Sequence, residues 1–224
     1  MPQSERFTLA NRRGARIVGL LDYPAGDGPV GDVLVACHGY GGDKDGPYLR
    51  RIAATLTAAG IAVVRFDFTN GAGESDGTLA DASVAGYADD LEDVLDEVAR
   101  RPRLAAARVS VAGHSYAGMV VLVVAARRPA VAAVLFLSAL YDRTADFDMP
   151  AIVRQIAAPI YVVHGAADES VPLAQPEALR RAAGDRIAGW LVLPDADHNY
   201  RTPGAAARVA DALRDAILAL PARG

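Results

Sequence analysis

Ser115 lies in a segment whose residue types favour nucleophilic chemistry. An apolar strand is predicted at residues 109–112, the small-residue turn GHSYAG follows at 113–118, and an apolar run occupies 119–126. A strand, a sharp turn and a helix with a serine at the apex are the layout of a nucleophile elbow, whose strained backbone lifts the serine oxygen clear of the sheet. Only small side chains fit two positions before and after such a serine, and the chain has glycine and Ala117 there.

Two later loops carry the residues that could activate this serine. A serine hydroxyl is a poor nucleophile until a base takes its proton, and the base needs a carboxylate to fix its tautomer. His198 lies in a polar loop between the last predicted strand and the last predicted helix, which suits a base. Asp168 lies just past an earlier strand end and suits the acid. Asp142, which follows the preceding strand, remains an alternative acid.

The other three histidines are predicted to have structural roles. His114 adjoins Ser115, so its side chain should point away from the nucleophile in an elbow. His38 and His164 each close a buried strand before a glycine, a position that favours a structural hydrogen-bonding role.

Two backbone N–H groups are expected to face the oxygen that becomes negatively charged during acyl transfer. Tyr116 follows the serine at the start of a helix, where backbone donors have no intrahelical acceptor. The second donor is expected from the segment HGYGG at 38–42, because its glycines let the backbone approach a substrate. Tyr40 is the candidate there, and its ring either lines the acyl pocket or packs against the protein.

A short segment, residues 141–158, is the candidate cap of this site. It is partly charged, and the apolar residues that could form a wall are Tyr141, Phe147, Met149, Ile152 and Val153. We therefore predict substrate contacts at Tyr40, Tyr141 and Phe147. Because so small a wall cannot enclose a long acyl chain, the acyl group is predicted to be short or compact and the site open on one side.

The elements that carry these residues alternate between strand and helix. Antiparallel strands are predicted at 6–8 and 16–21, and further strands at 33–37, 61–66, 109–112, 131–137 and 160–164, with a last strand that ends in 190–193. Helices are predicted at 48–59, 83–101, 119–126, 151–157, 173–183 and 205–220. This alternation predicts an α/β fold with a mostly parallel sheet and helices on both faces. The candidate residues all follow strand ends, where such sheets carry their working residues.

The composition favours one globular domain spanning residues 1–224 and restricts its partners. The chain is 52% hydrophobic, enough for a large core, and its net charge of −4 gives no reason to expect a nucleic acid or an anionic membrane. The single cysteine, Cys37, excludes internal disulfides, and no cluster has metal-ligand spacing, so neither a metal nor a cofactor is predicted. Without a signal-like or membrane-length apolar run, a cytoplasmic protein is predicted.

Four segments of the chain together match a known family pattern. They are HGYGG at 38–42, RFDF at 65–68 leading to GAGESDG at 71–77, GHSYAG at 113–118, and HGAAD at 164–168 with VP at 171–172. Over nearly its whole length the chain resembles an α/β-hydrolase of the small bacterial esterase branch, which includes serine-aminopeptidase-like and feruloyl-esterase-like proteins, and the order Ser, Asp, His agrees.

This resemblance implies that Ser115 is the nucleophile, Asp168 the acid and His198 the base, with the N–H groups of Tyr40 and Tyr116 as oxyanion donors. Two departures from the family pattern stand out. Ala117 replaces the glycine of the elbow, and the cap is short where feruloyl esterases insert a larger one, which argues against a feruloyl substrate.

Three hypotheses of function share these residues. The first is a serine hydrolase that cleaves carboxylic esters with small acyl groups through an acyl-enzyme intermediate. The second is an amidase, aminopeptidase or thioesterase that uses the same triad. The third is a non-catalytic module of the same fold that binds a small ligand or a partner. The complete set of Ser115, Asp168 and His198 argues against the third hypothesis, because a binding module needs no triad.

Overall fold

Eight strands form one sheet in the computed structural model of the protein, which describes residues 3–221. In chain order they are β1 (Gln3–Ala10), β2 (Arg16–Tyr23), β3 (Asp32–Cys37), β4 (Ala62–Asp67), β5 (Arg108–His114), β6 (Ala133–Leu137), β7 (Ile160–Gly165) and β8 (Ile187–Leu193). Their spatial order is β1-β2-β4-β3-β5-β6-β7-β8. β2 pairs antiparallel with β1 and with β4, and all the other pairs are parallel. The predicted fold class is confirmed.

Helices cover both faces of this sheet. They are α1 (Pro47–Ala58), α2 (Val84–Arg100), α3 (Ala117–Arg127), α4 (Met149–Gln155), α5 (Ala174–Ala183) and α6 (Ala205–Leu218), with short 3₁₀ turns at Leu79–Asp81 and Gly184–Arg186. α1 and α6 pack together on one face, and α2 to α5 form a row on the other. None of these helices is long and apolar enough to cross a membrane.

The central strands and α3 form the buried middle of the molecule. From Val33 to the end of β3 every residue is buried, and so is all of β6, because helices shield both faces of these strands. Nine residues of α3 are buried, since this helix lies between α2 and α4 against the sheet. The apolar residues that follow the serine are therefore needed by the fold, and they hold the start of α3 in place below Ser115.

The segment predicted as a cap contributes mainly to the fold. α4 is the crossover between the parallel strands β6 and β7, and it packs against α3 and α5. It begins at Met149 because the Asp148 side chain accepts a hydrogen bond from the Ala151 N–H. Met149 and Val153, which the sequence assigned to an apolar wall over the site, are buried in the core.

Candidate active site

Ser115 lies at a sharp turn between β5 and α3, in left-handed backbone geometry. Its φ is 53°, a value that costs a residue with a side chain about 1–3 kcal/mol unless the surroundings hold it. Backbone hydrogen bonds hold it: the Ser115 N–H donates to the Leu137 carbonyl (3.1 Å), and the Ser115 carbonyl accepts from the N–H groups of Leu140 (3.0 Å) and Gly118 (3.0 Å). The turn thus presents the serine side chain at the carboxyl edge of the sheet.

The close approach across this turn involves a backbone carbonyl. A methyl group built on Gly113 would lie 2.3 Å from the carbonyl oxygen of Ala117, so only glycine fits at position 113. The methyl group of Ala117 itself is fully buried against the core. Alanine is therefore accommodated where the family pattern has glycine, because the backbone of residue 117 makes the tight contact.

A chain of hydrogen bonds connects Ser115, His198 and Asp168. The His198 Nε2 lies 3.0 Å from the Ser115 Oγ, and the His198 Nδ1 lies 2.8 Å from the Asp168 Oδ2. An ionised carboxylate only accepts hydrogen bonds, so Nδ1 carries the proton and the Nε2 lone pair faces the serine hydroxyl. In this tautomer the Ser115 hydroxyl donates to His198, which is the arrangement that a general base requires.

Asp168 is held as a carboxylate inside the protein. Its Oδ1 accepts hydrogen bonds from the N–H groups of Ser170 (2.9 Å) and Val171 (2.8 Å). Burial alone would raise the pKa of Asp168, but the hydrogen bonds from His198 and from these two backbone groups outweigh it and keep the pKa below its usual value. The rival acid, Asp142, accepts a hydrogen bond from the Gln175 side chain on the protein surface, away from His198.

The two predicted oxyanion donors flank the nucleophile. Within residues 3–221 neither the Tyr40 N–H nor the Tyr116 N–H donates to another group. The loop after β3 packs directly on the nucleophile, because a methyl group built on Gly39 would lie 2.8 Å from the Ser115 Cβ. Tyr116 stands at the N-terminal end of α3. Both N–H groups are therefore available to a substrate oxygen.

A buried ion pair that the sequence analysis missed anchors the loop that carries Tyr40. The Asp67 carboxylate accepts hydrogen bonds from the Lys44 N–H (2.7 Å), the Lys44 Nζ (2.9 Å) and the Glu74 N–H (2.8 Å). Burial alone would lower the pKa of Lys44, but its contacts with the carboxylates of Glu74 and Asp67 raise it. The loops after β3 and β4 are thereby tied together, and the RFDF and GES sequences were the signal for this connection.

Two buried histidines at strand ends form hydrogen bonds with the backbone of loops at the carboxyl edge of the sheet. His38 accepts a hydrogen bond from the Phe68 N–H at Nε2 (3.2 Å), and its Nδ1 lies 2.8 Å from the Gly39 carbonyl oxygen. His164 contacts the Val171 carbonyl oxygen through Nε2 (3.0 Å). Burial lowers the pKa of both imidazoles, so both remain neutral near neutral pH. The sequence predicted a structural hydrogen-bonding role for these two residues, and the structure shows that their partners are backbone groups.

His114 lies closer to the base than the sequence suggested. Its Nε2 lies 2.8 Å from the backbone carbonyl oxygen of His198. The two imidazole rings are 4.7 Å apart between centroids. Burial lowers the pKa of His114 to about 4. The imidazole is therefore neutral near neutral pH, and its Nε2 must carry the proton that the carbonyl accepts.

A cavity of about 420 Å³ opens beside Ser115. It lies between the loop after β3 and the loop that carries the base, and its lining comprises residues 39–43, 46–48, His114, Ser115, His198, Asn199 and Arg201. Of the predicted substrate contacts, only Tyr40 belongs to this lining. Tyr141 is buried in the core. The Arg127 guanidinium lies over the ring of Phe147, 5.7 Å from the centroid of that ring. Neither residue is brought to the cavity, because their segment runs toward α4.

An eight-stranded, mostly parallel sheet with a serine at a strand-to-helix elbow is the α/β-hydrolase fold. The model of the family described as serine aminopeptidase, S33, matches residues 28–157, more than half of the chain, and the protein belongs to this family. The resemblance that the sequence motifs indicated is confirmed. Membership of this family supports hydrolase activity. Among curated proteins, no sequence matches the chain.

Solved structures share the fold over nearly the whole chain. Est1E from Butyrivibrio proteoclasticus, in a structure with bound ferulic acid, is 20% identical with a TM-score of 0.84, covering 97% of this chain and 100% of that one. A dienelactone hydrolase from Anabaena variabilis is 22% identical with a TM-score of 0.79, covering 98% of each chain. An α/β serine hydrolase without lid from Xanthomonas campestris is 22% identical with a TM-score of 0.77, covering 98% of this chain and 97% of that one. At these identities the likeness concerns the fold.

Proposed function

We propose that the protein hydrolyses carboxylic esters through an acyl-enzyme intermediate on Ser115. The observation that carries this proposal is the hydrogen-bonded chain from the Asp168 carboxylate through His198 to the Ser115 Oγ, with distances of 2.8 and 3.0 Å. The left-handed φ of Ser115 supports the same conclusion, since a strained residue at a loop cluster is typical of a functional site.

The geometry supports a two-step reaction. His198 takes the Ser115 proton as the hydroxyl attacks the ester carbonyl, and the developing oxyanion faces the N–H groups of Tyr40 and Tyr116. The ionised Asp168 stabilises the imidazolium that forms. His198 then gives its proton to the departing alcohol, so the alcohol must lie on the His198 side of the serine. Water, activated by the same base, attacks the acyl-enzyme and releases the acid.

The cavity and the segment 141–158 bear on substrate size. The cavity lies on the side of the base, where Asn199 and Arg201 follow His198, so we assign it to the alcohol part of the ester. The apolar residues Met149 and Val153 pack into the core and cannot cover an acyl chain. We therefore expect esters with short acyl groups to be preferred, because additional methylenes left in water do not gain the roughly 0.8 kcal/mol that burial gives.

A fluorophosphonate probe tests the proposal, because it labels only an activated serine. We expect the probe to label the native protein and not Ser115→Ala. In this variant the rate of ester hydrolysis should fall by at least about three orders of magnitude. Ser110→Ala is the matched control: Ser110 is buried in β5, the strand that precedes the nucleophile, and its hydroxyl has no partner within the described residues, so labelling should persist. Turnover by Ser115→Ala near the native rate would refute the assignment.

An acyl-length series on the purified protein tests the size of the substrate. Among p-nitrophenyl esters, we expect kcat/KM to be highest for acetate or butyrate and to fall for long chains. A maximum at long chains, or a jump in rate where micelles form, would show that an apolar surface covers the acyl group after all.

A further inference from the structure

His114 is a buried polar side chain that the mechanism above does not use. It is 3% exposed and packs between the rings of Tyr48 and His198, with centroid distances of 4.6 and 4.7 Å. The ring of Tyr200 lies 5.9 Å away. A buried imidazole that contacts the ring of the base and hydrogen-bonds to the backbone of that base calls for a role beyond packing.

The loop that carries the base is attached to the rest of the protein on either side of His198. Before it, the Ala196 carbonyl accepts a hydrogen bond from the Ala167 N–H (3.1 Å). After it, the Tyr200 hydroxyl donates to the Val163 carbonyl (3.3 Å), and Tyr200 has a positive φ of 55°. At His198 itself, the backbone contact within the described residues is the hydrogen bond from His114 (2.8 Å).

We propose that His114 is a positioning residue, which holds the backbone of His198 so that the imidazole of the base reaches the Ser115 hydroxyl. The Nε2–H of His114 donates to the His198 carbonyl and fixes one end of the base, while Asp168 fixes the other end through Nδ1. The base is then held at two points, its backbone carbonyl and its ring nitrogen. This inference rests on the proposed function, because it assumes that His198 is the base.

The elbow explains why His114 can do this. His114 ends β5 and immediately precedes the nucleophile, so the position of its ring is set by the same turn that sets Ser115. The same turn therefore holds both Ser115 and His114, and the hydrogen bond from His114 places the base relative to the nucleophile. Because the position of a reacting group to within about 1 Å can change rates about 10²-fold, such a support affects turnover more than substrate binding.

The neutral state of His114 fits this role. The groups that face its ring are His198, Asp168, His38, Tyr48 and Tyr200. A positive charge on His114 would oppose the positive charge that forms on His198 during the reaction. A neutral imidazole supplies the hydrogen bond without that repulsion.

Two variants that differ in one donor test the proposal. His114→Gln places an amide N–H where the Nε2–H lies, and His114→Met has a similar length without a donor. We expect the Met variant to lose about 10- to 100-fold in kcat for p-nitrophenyl acetate with KM nearly unchanged, and the Gln variant to recover most of that loss. A packing role alone would lower both variants equally, and that result would overturn the proposal.

A measurement on the native protein keeps the proposal testable if the variants unfold. Nitrogen NMR of the imidazoles should show His114 as the neutral Nε2–H tautomer from mildly acidic to mildly alkaline pH. A proton on Nδ1 alone would contradict the inference. Failure of the proposed function is a different result: Ser115→Ala would then keep its activity, whatever His114 does.

Discussion

Asp168→Asn is the substitution that separates the proposed mechanism most sharply from its alternatives. The Asp168 Oδ1 accepts from two backbone N–H groups, at Ser170 and Val171, and Oδ2 accepts from the His198 Nδ1. An asparagine of the same shape must turn its carbonyl oxygen toward the two backbone donors, because its NH₂ group cannot accept from them. The NH₂ group is then left facing His198.

That orientation reverses the tautomer of the base. Facing an N–H donor, the His198 Nδ1 becomes the acceptor and the proton moves to Nε2, so no lone pair points at Ser115. In serine triads generally, this wrong tautomer lowers kcat by about 10⁴-fold, or about 5.5 kcal/mol in the barrier. The fold should survive, because the new side chain has the same size and keeps both backbone hydrogen bonds.

The assay is kcat for p-nitrophenyl acetate, with folding checked by circular dichroism and thermal unfolding. Asp142→Asn is the matched control: within residues 3–221 the Asp142 carboxylate and its backbone N–H bond the Gln175 side chain, so activity should stay within about twofold of the native value. If Asp168→Asn kept activity within about tenfold of the native protein, the tautomer argument would be wrong. Severe loss in Asp142→Asn would move the acid to the loop after β6.

Three further outcomes follow from the geometry. Ser115→Gly should unfold about 2–4 °C above Ser115→Ala, because glycine adopts the positive φ at this position with about 1 kcal/mol less strain. Gly39→Ala should lower kcat/KM about 10²-fold, since its methyl group would lie 2.8 Å from the Ser115 Cβ. Gly28→Ala, where a methyl group meets open space, should leave kcat/KM unchanged. Folding lowers the pKa of His114 from 6.5 to about 4, so between these pH values the unfolded chain binds a proton that the folded protein does not. The free energy of unfolding should therefore fall as the pH drops from 6.5 toward 4. The fall should be less steep in His114→Gln, which lacks this titrating group.

The sequence predicted the central sheet well and its edges less well. β3 and β6 are buried on both faces, so their residues form continuous apolar runs that are easy to recognise. β8 ends at Leu193 as predicted, but its start at Ile187 was not predicted, because the strand lies at the sheet edge and only its last residue is buried. α3 begins at Ala117 rather than Met119, since the elbow leads into the helix without an intervening loop.

The candidate acid and the cap illustrate what spacing cannot decide. Asp142 and Asp168 both follow strand ends, and only the three-dimensional path of each loop determines which carboxylate reaches His198. In the segment 141–158, Met149 and Val153 are four residues apart, a spacing that suits the buried face of a helix as well as a wall over a site. The structure buries them because α4 must cover the sheet between β6 and β7.

The contact between His114 and the base was missed for a different reason. Its neighbour in sequence is the nucleophile, and a residue beside an elbow serine points to the other side of the turn. That argument concerns only the serine and does not consider the backbone of the base, which comes from a loop more than eighty residues later. Contacts to backbone atoms leave no residue-type pattern in the partner segment, so a single sequence could not reveal this one.

Buried polar groups hold each loop of the site at a fixed place. His38 bonds the backbone after β4, Asp67 bonds Lys44 in the loop after β3, and His114 bonds the loop of the base. A buried ion pair is often no more stabilising than a well-packed apolar pair, so stability alone does not explain Lys44 and Asp67. Directional bonds do what apolar contacts cannot, because they set both the distance and the orientation of a loop. Their concentration at the carboxyl edge of the sheet indicates that these groups serve the geometry around Ser115 more than the free energy of folding.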